Sequence, residues 1–126
     1  MNGFDFVHRE SVRFRDLDSL GHVNNAVFLT YLEEARIAYL DPLGAEAKNM
    51  ILARVEIDFR APLRMDDELA IGVRPARIGT KSFDLEYEVH ARDTLAAEAK
   101  TVLVSYDYAS GRPVELPESW REALAA

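Results

Sequence analysis

Phe28, Leu32, Ala35 and Tyr39 recur at spacings of four, three and four, and residues 54–108 then abandon that period for strict alternation. This switch constrains the fold more than any other feature. The first stripe is one face of a helix running from just after Asn25 to about Leu40. Asp41-Pro42 stops it, because a residue before proline avoids helical geometry, and Leu43-Gly44 marks a turn. Val55, Ile57 and Phe59 then alternate with Arg54, Glu56, Asp58 and Arg60. Leu69, Ile71 and Val73 alternate next, followed by Leu85, Tyr87, Val89 and Ala91 against Glu86, Glu88, His90 and Arg92. The stretch from Leu95 to Tyr108 contains TVLVSY, apolar on both sides as a central strand is. Upstream, Val12 and Phe14 alternate with Arg13 and Arg15, which predicts a first strand. Arg77-Ile78-Gly79-Thr80 and Arg92-Asp93-Thr94 are short enough for hairpins, and Pro117 opens a short terminal helix through Trp120 and Leu124.

One long helix and five strands predict an α+β layer forming a single domain over residues 1–126. A helix of sixteen residues is about 24 Å long. Strands of seven or more residues match that length at about 3.3 Å each, so a curved antiparallel sheet can wrap the helix. The segment DLDSLGHVNN then falls at the helix N-terminus.

Composition narrows the function. A net charge of −7 argues against a general nucleic-acid binder, since phosphate contacts need a surplus of Lys and Arg. Residues 54–81 carry six bases against five acids, either the solvated faces of strands or a place for a small polyanion. No apolar run is long enough to span a bilayer, and MNGFDFVHRE has no secretory pattern. Cysteine is absent, which removes thiolate catalysis and disulfides and fits a cytoplasmic setting.

The polar surplus in RFRDLDSLGHVNNAVF exceeds what a turn and a cap need. The first turn of a helix has unpaired N–H groups and a partial positive charge, so it can hold an anion or a polarised carbonyl. Asp18, a few residues upstream, puts a carboxylate beside that spot, and the pair is a minimal hydrolase. Each residue also has a plain use. Asp16 suits a turn paired with Arg13 or Arg15; Asp18 an Asx-turn; Gly21 a positive φ; His22 a hydrogen-bonded turn; Asn24 and Asn25 capping. Glu33 and Glu34 are either helix-borne carboxylates for catalysis or partners of Arg36 and the helix surface. A calcium loop starting at Asp16 fails, because Leu20 and Val27 fall where oxygen ligands are required. A zinc hydrolase fails too, with His8 in the N-terminal segment, His90 on a polar strand face and no HExxH pair. No metal or other cofactor is expected.

DLDSLGHVNNAVFLTYLEEAR resembles the signature of hotdog-fold acyl-CoA thioesterases of the 4-hydroxybenzoyl-CoA thioesterase type. The likeness continues through ILARVEIDFRAPLRMDDEL, IGTKSFDLEYEV and GRPVELPESW. It implies a hotdog fold, a five-stranded antiparallel sheet around one central helix, and hydrolysis of a coenzyme A thioester. It implies Asp18 as catalytic carboxylate, the backbone N–H at or next to Asn25 as carbonyl-polarising group, and His22 and Asn24 lining the site. Lys81 and Ser82 would lie near the nucleotide end of coenzyme A, although Gly79 and Thr80 stand where better-known members carry arginines. Phe28, Tyr31, Val55 and Phe59 would set pocket depth. The same resemblance implies a homodimer or a dimer of dimers, joined edge to edge with substrate across the boundary. Two other readings stay open: a non-catalytic binder of acyl-CoA or acyl-carrier protein, and a dehydratase of 3-hydroxyacyl thioesters.

Overall fold

Asp16 accepts the backbone N–H of Arg13 at 3.0 Å, and its own N–H returns to the Arg13 carbonyl at 2.9 Å. This reciprocal pair winds Phe14–Asp16 into a single 3₁₀ turn, so the alternation of residues 12–15 does not make a strand. The first strand, β1, lies earlier, at Phe6–Ser11. Phe14, expected on its buried face, is exposed. The computed structural model describes residues 1–43 and 49–126.

Helix α1 spans Asn25–Leu40, with Asn24 as its cap. Phe28, Tyr31, Leu32, Ala35 and Leu40 are buried along one face. Asp41 keeps helical angles, contrary to its position before a proline, and the chain continues as a 3₁₀ turn at Asp41–Leu43. Pro42 has no N–H to extend the α-helical ladder, so the helix tightens before it ends. Gly44 of the expected turn lies outside the described residues.

Strands β2 (Met50–Phe59), β3 (Glu68–Ile78), β4 (Ser82–Ala91) and β5 (Thr94–Asp107) follow, then the two-residue β6 (Arg112–Pro113) and helix α2 (Glu118–Ala125). The sheet is antiparallel throughout, in the order β1-β3-β4-β5-β2, with β6 added to β5. The short β6 makes six strands among the described residues where five were expected. The architecture is the hotdog: α1 lies against a curved sheet whose buried face is built from Leu69, Ile71 and Val73, Leu85, Tyr87 and Val89, and Ala97 and Leu103. In β5, buried Thr101, Leu103 and Ser105 alternate with half-buried Val102 and Val104, so its outer face is covered only in part. At the far end of the sheet Trp120 of α2 meets Phe83 edge to face at 6.4 Å. No helix among the described residues is long and apolar enough to cross a membrane.

Among the described residues β2 pairs with β5 on one side only, which leaves its other side a free sheet edge. Val55, Ile57 and Phe59 face the helix side as the alternation predicts, opposite Thr101, Ala99 and Ala97. They are not fully covered, and Leu52, Val55 and Phe59 remain exposed. The basic stretch is mostly neutralised by its neighbours. Arg54 pairs with Glu56, Arg60 with Glu98, Arg74 with Glu86 and Arg77 with Asp84. That fits solvated strand faces and leaves little unpaired charge for a polyanion.

Candidate active site

The loop before α1 is held by backbone bonds at three points. Val23 N–H reaches the Leu63 carbonyl at 2.9 Å, Asn24 N–H reaches the Asp16 carbonyl at 3.0 Å, and Asp18 N–H reaches the His22 carbonyl at 2.8 Å. Gly21 closes the turn with its N–H on the Asp18 carbonyl at 3.1 Å and a φ of +83°. A methyl added there meets no atom within 4 Å, so substitution strains only the backbone. Gly21→Ala is therefore expected to destabilise the fold by about 1 kcal/mol, read as a lower urea midpoint with an unchanged slope. An unchanged midpoint would show that the turn relaxes without strain.

The two asparagines divide their work. The Asn24 side chain accepts Ala26 N–H at 2.8 Å and its carbonyl accepts Val27 N–H at 2.9 Å. The N–H of Asn25 has no acceptor among the described residues, although it sits in the first turn of a sixteen-residue helix. An unpaired donor at the positive end of a helix dipole is what a developing oxyanion requires. Asp18 is half-buried, and its Oδ1 accepts Leu20 N–H at 2.9 Å, the Asx-turn that its spacing allowed. Its Oδ2 has no hydrogen-bond partner among the described residues.

Asp18, His22, Asn24, Asn25, Phe28 and Phe59 line one cleft of about 480 Å³ at the head of α1. Phe28 and Phe59 meet edge to face at 5.1 Å. Arg60, Ala61 and Pro62 form the opposite wall. Sequence reasoning missed these three. Their only signal was the proline ending β2, which turns the chain back beside the motif.

Other expectations fall elsewhere. Tyr31 does not line the cleft: it is fully buried and donates its hydroxyl to Asp16 Oδ2 at 2.6 Å. Val55 faces a separate groove between α1 and β2, with Leu29, Glu33 and Arg36. Glu33 lies 4.0 Å from Arg36 and Glu34 lies 3.8 Å from Arg13, both away from the cleft. Asp16 is the structural acid of the motif. Burial alone would raise its pKa, but hydrogen bonds from Tyr31 and from the Arg13 N–H, with the nearby Arg13 charge, hold it below the usual carboxylate value.

Lys81 and Ser82 sit in the β3–β4 hairpin. Ser82 is opposite Val104 and Phe59 opposite Ala97 on β5, so seven residues, about 23 Å, separate the hairpin from the cleft within one chain. An arginine does reach this pair, although Gly79 and Thr80 precede it. Arg77 donates to Ser82 Oγ at 2.7 Å while held by Asp84 at 2.9 Å.

A hotdog sheet with a carboxylate and a bare helix N-terminus in one cleft is the arrangement that the resemblance to hotdog-fold thioesterases implies. The chain belongs to the thioesterase-like superfamily, whose family model matches residues 12–124. It is 30% identical to a 1,4-dihydroxy-2-naphthoyl-CoA hydrolase of Nostoc punctiforme, over 90% of this chain and 82% of that one. It is 29% identical to the acyl-CoA thioester hydrolase YbgC of Escherichia coli, over 86% of this chain and 87% of the relative. A Thermus thermophilus thioesterase solved with coenzyme A and zinc superposes with a TM-score of 0.91 at 44% identity, covering 98% of this chain and 94% of that one.

Proposed function

We propose that the chain hydrolyses acyl-CoA thioesters to the free acid and coenzyme A. One observation carries this reading: the half-buried Asp18 and the unpaired Asn25 N–H share a single cleft. The thioester carbonyl oxygen accepts the Asn25 N–H, and α1 aims its positive end at the charge that develops there. Asp18 attacks the carbonyl carbon and expels the thiolate, giving a mixed anhydride that water then cleaves to the free acid and the restored carboxylate, or it takes a proton from the water that attacks the carbonyl itself. Either way the thiolate leaves without help from a metal or redox group. His22 and Asn24 flank the reacting carbon, and the Phe28–Phe59 pair receives the acyl group. The names of the relatives favour acyl-CoA over carrier-bound substrates.

Lys81 and Ser82 act on this reading from a second subunit, because one chain holds Ser82 about 23 Å along β5 from the level of Phe59 in the cleft. The free β2 edge, with Leu52, Val55 and Phe59 exposed beside it, supplies the joint of a homodimer, which can double into a dimer of dimers. Val55→Lys puts a charge in the middle of that edge and is expected to yield a folded monomer by light scattering. A dimer of unchanged mass would place the joint elsewhere.

A second reading, a non-catalytic acyl-CoA binder, draws on the Asp18 Oδ1 bond to Leu20, a turn role that needs no turnover. Thiol release from a panel of esters, acetyl to palmitoyl with benzoyl and 4-hydroxybenzoyl, decides between the two. Turnover of any of them establishes hydrolysis. Binding of acyl-CoA with no turnover on the whole panel leaves the binder.

A further inference from the structure

His8 and Glu10 stand two positions apart on β1 and so share one face of that edge strand. Phe6, on the same face, stacks edge to face with Tyr39 at 5.3 Å, which turns this face toward α1. Glu34 of α1 meets the pair from the other side. One ligating atom from each of His8, Glu10 and Glu34 lies within 4.8 Å of the other two, and all three residues are partly buried. His8 Nε2 is already 3.0 Å from Glu10 Oε2.

Acidic groups outnumber the arginine in this corner. Glu10, Glu34 and Asp16 bring three carboxylates, and Arg13 is the guanidinium beside them. Arg13 engages Asp16 at 3.4 Å and stands 3.8 Å from Glu34. Glu10 pairs with no arginine or lysine among the described residues. A comparison within the fold shows what is unusual. His90 and Glu88 on β4 form the same pair two residues apart at 2.8 Å, but among the described residues no third donor joins them.

One imidazole and two carboxylates on two rigid elements are a donor set for a divalent first-row transition ion, with a fourth position left for water. Donors about 2.1 Å from a tetrahedral centre stand about 3.4 Å apart, a spacing that small side-chain rotations reach from this arrangement. We propose that His8, Glu10 and Glu34 bind a divalent transition-metal ion of the zinc type, tying edge strand β1 to helix α1. Glu34 lies nine residues, about 13 Å, along α1 from Asn25, so the ion sits outside the cleft and takes no part in thioester cleavage. The site therefore stands or falls independently of the hydrolase reading.

Chelator-stripped protein titrated with zinc chloride in a calorimeter tests the site, with cobalt chloride and its visible absorption as a second probe. Wild type is expected to take up one ion per chain in the micromolar range and to melt at a higher temperature with zinc. His8→Gln and Glu34→Gln should each weaken uptake at least about tenfold and lose the thermal shift. His90→Gln should behave as wild type. Either ligand variant decides alone, provided that its metal-free melting matches wild type. No uptake by wild type up to millimolar zinc overturns the proposal. So does uptake of equal affinity in His8→Gln and Glu34→Gln, which would put the ion elsewhere.

Discussion

Asp18→Asn is expected to lower kcat for acyl-CoA hydrolysis at least about a hundredfold while leaving the fold and the molecular mass in solution unchanged. Asparagine keeps the size of the side chain and an oxygen for Leu20 N–H, so the turn that presents it survives. What it removes is the negative charge, which both chemical routes need. As nucleophile, an amide oxygen is far weaker than a carboxylate. As base, it cannot take a proton from water near neutral pH. KM should change little, because Asn25 and the Phe28–Phe59 wall are untouched. Thiol release measured beside thermal melting and molecular mass checks the expectation. Equal turnover by a folded variant would remove Asp18 from the chemistry. No other carboxylate among the described residues lines the cleft, so His22 would then be the base to test.

The parts of this fold that were legible are those where burial and alternation coincide. β3 and β4 show this directly: Leu69, Ile71 and Val73, then Leu85, Tyr87 and Val89, are buried in every second position. β1 was misplaced because its helix-facing residues include His8 and Glu10, so the strand carries no period-two apolar signal. Residues 12–15 carry that signal, but the Arg13–Asp16 bonds override it. The candidate site was legible as far as it is local. Asp18, His22, Asn24, Asn25 and Phe28 lie within eleven consecutive positions, and Phe59 was recovered through its strand. The wall from Arg60 to Pro62 required the β2 terminus to be placed against the loop, which no spacing encodes. The same limit hid the cluster of His8 with Glu34, twenty-six positions apart and joined only when α1 packs on β1.

Asp16→Ala is expected to destabilise the fold by about 3 kcal/mol, because it leaves a buried tyrosine hydroxyl and a guanidinium without their acceptor. The acid is almost wholly buried and takes the Tyr31 hydroxyl at 2.6 Å and the Arg13 N–H at 3.0 Å. Its backbone carbonyl also holds Asn24 at the head of α1, so loosening this corner should lower turnover as well as stability. Tyr31→Phe separates the hydrogen bond from the packing. Losing a hydroxyl bonded to a buried carboxylate should cost about 2 kcal/mol at pH 7. The pH dependence gives the sign. Asp16 titrates below its ordinary value of 3.8 in the folded protein, so its ionised form adds stability above that pH. That contribution is lost as pH falls through 3.8 toward the folded value. Tyr31→Phe weakens the bond that opposes burial, which brings the Asp16 pKa back upward. The stability gap between wild type and Tyr31→Phe should therefore be largest near neutral pH and narrow below about pH 4. Urea midpoints at pH 7 and pH 3.5 measure it. No gap at either pH would mean that Tyr31 supports the motif by its ring alone and that Asp16 is held in place by Arg13; a gap of the same size at both would mean that the hydroxyl contributes independently of the Asp16 charge.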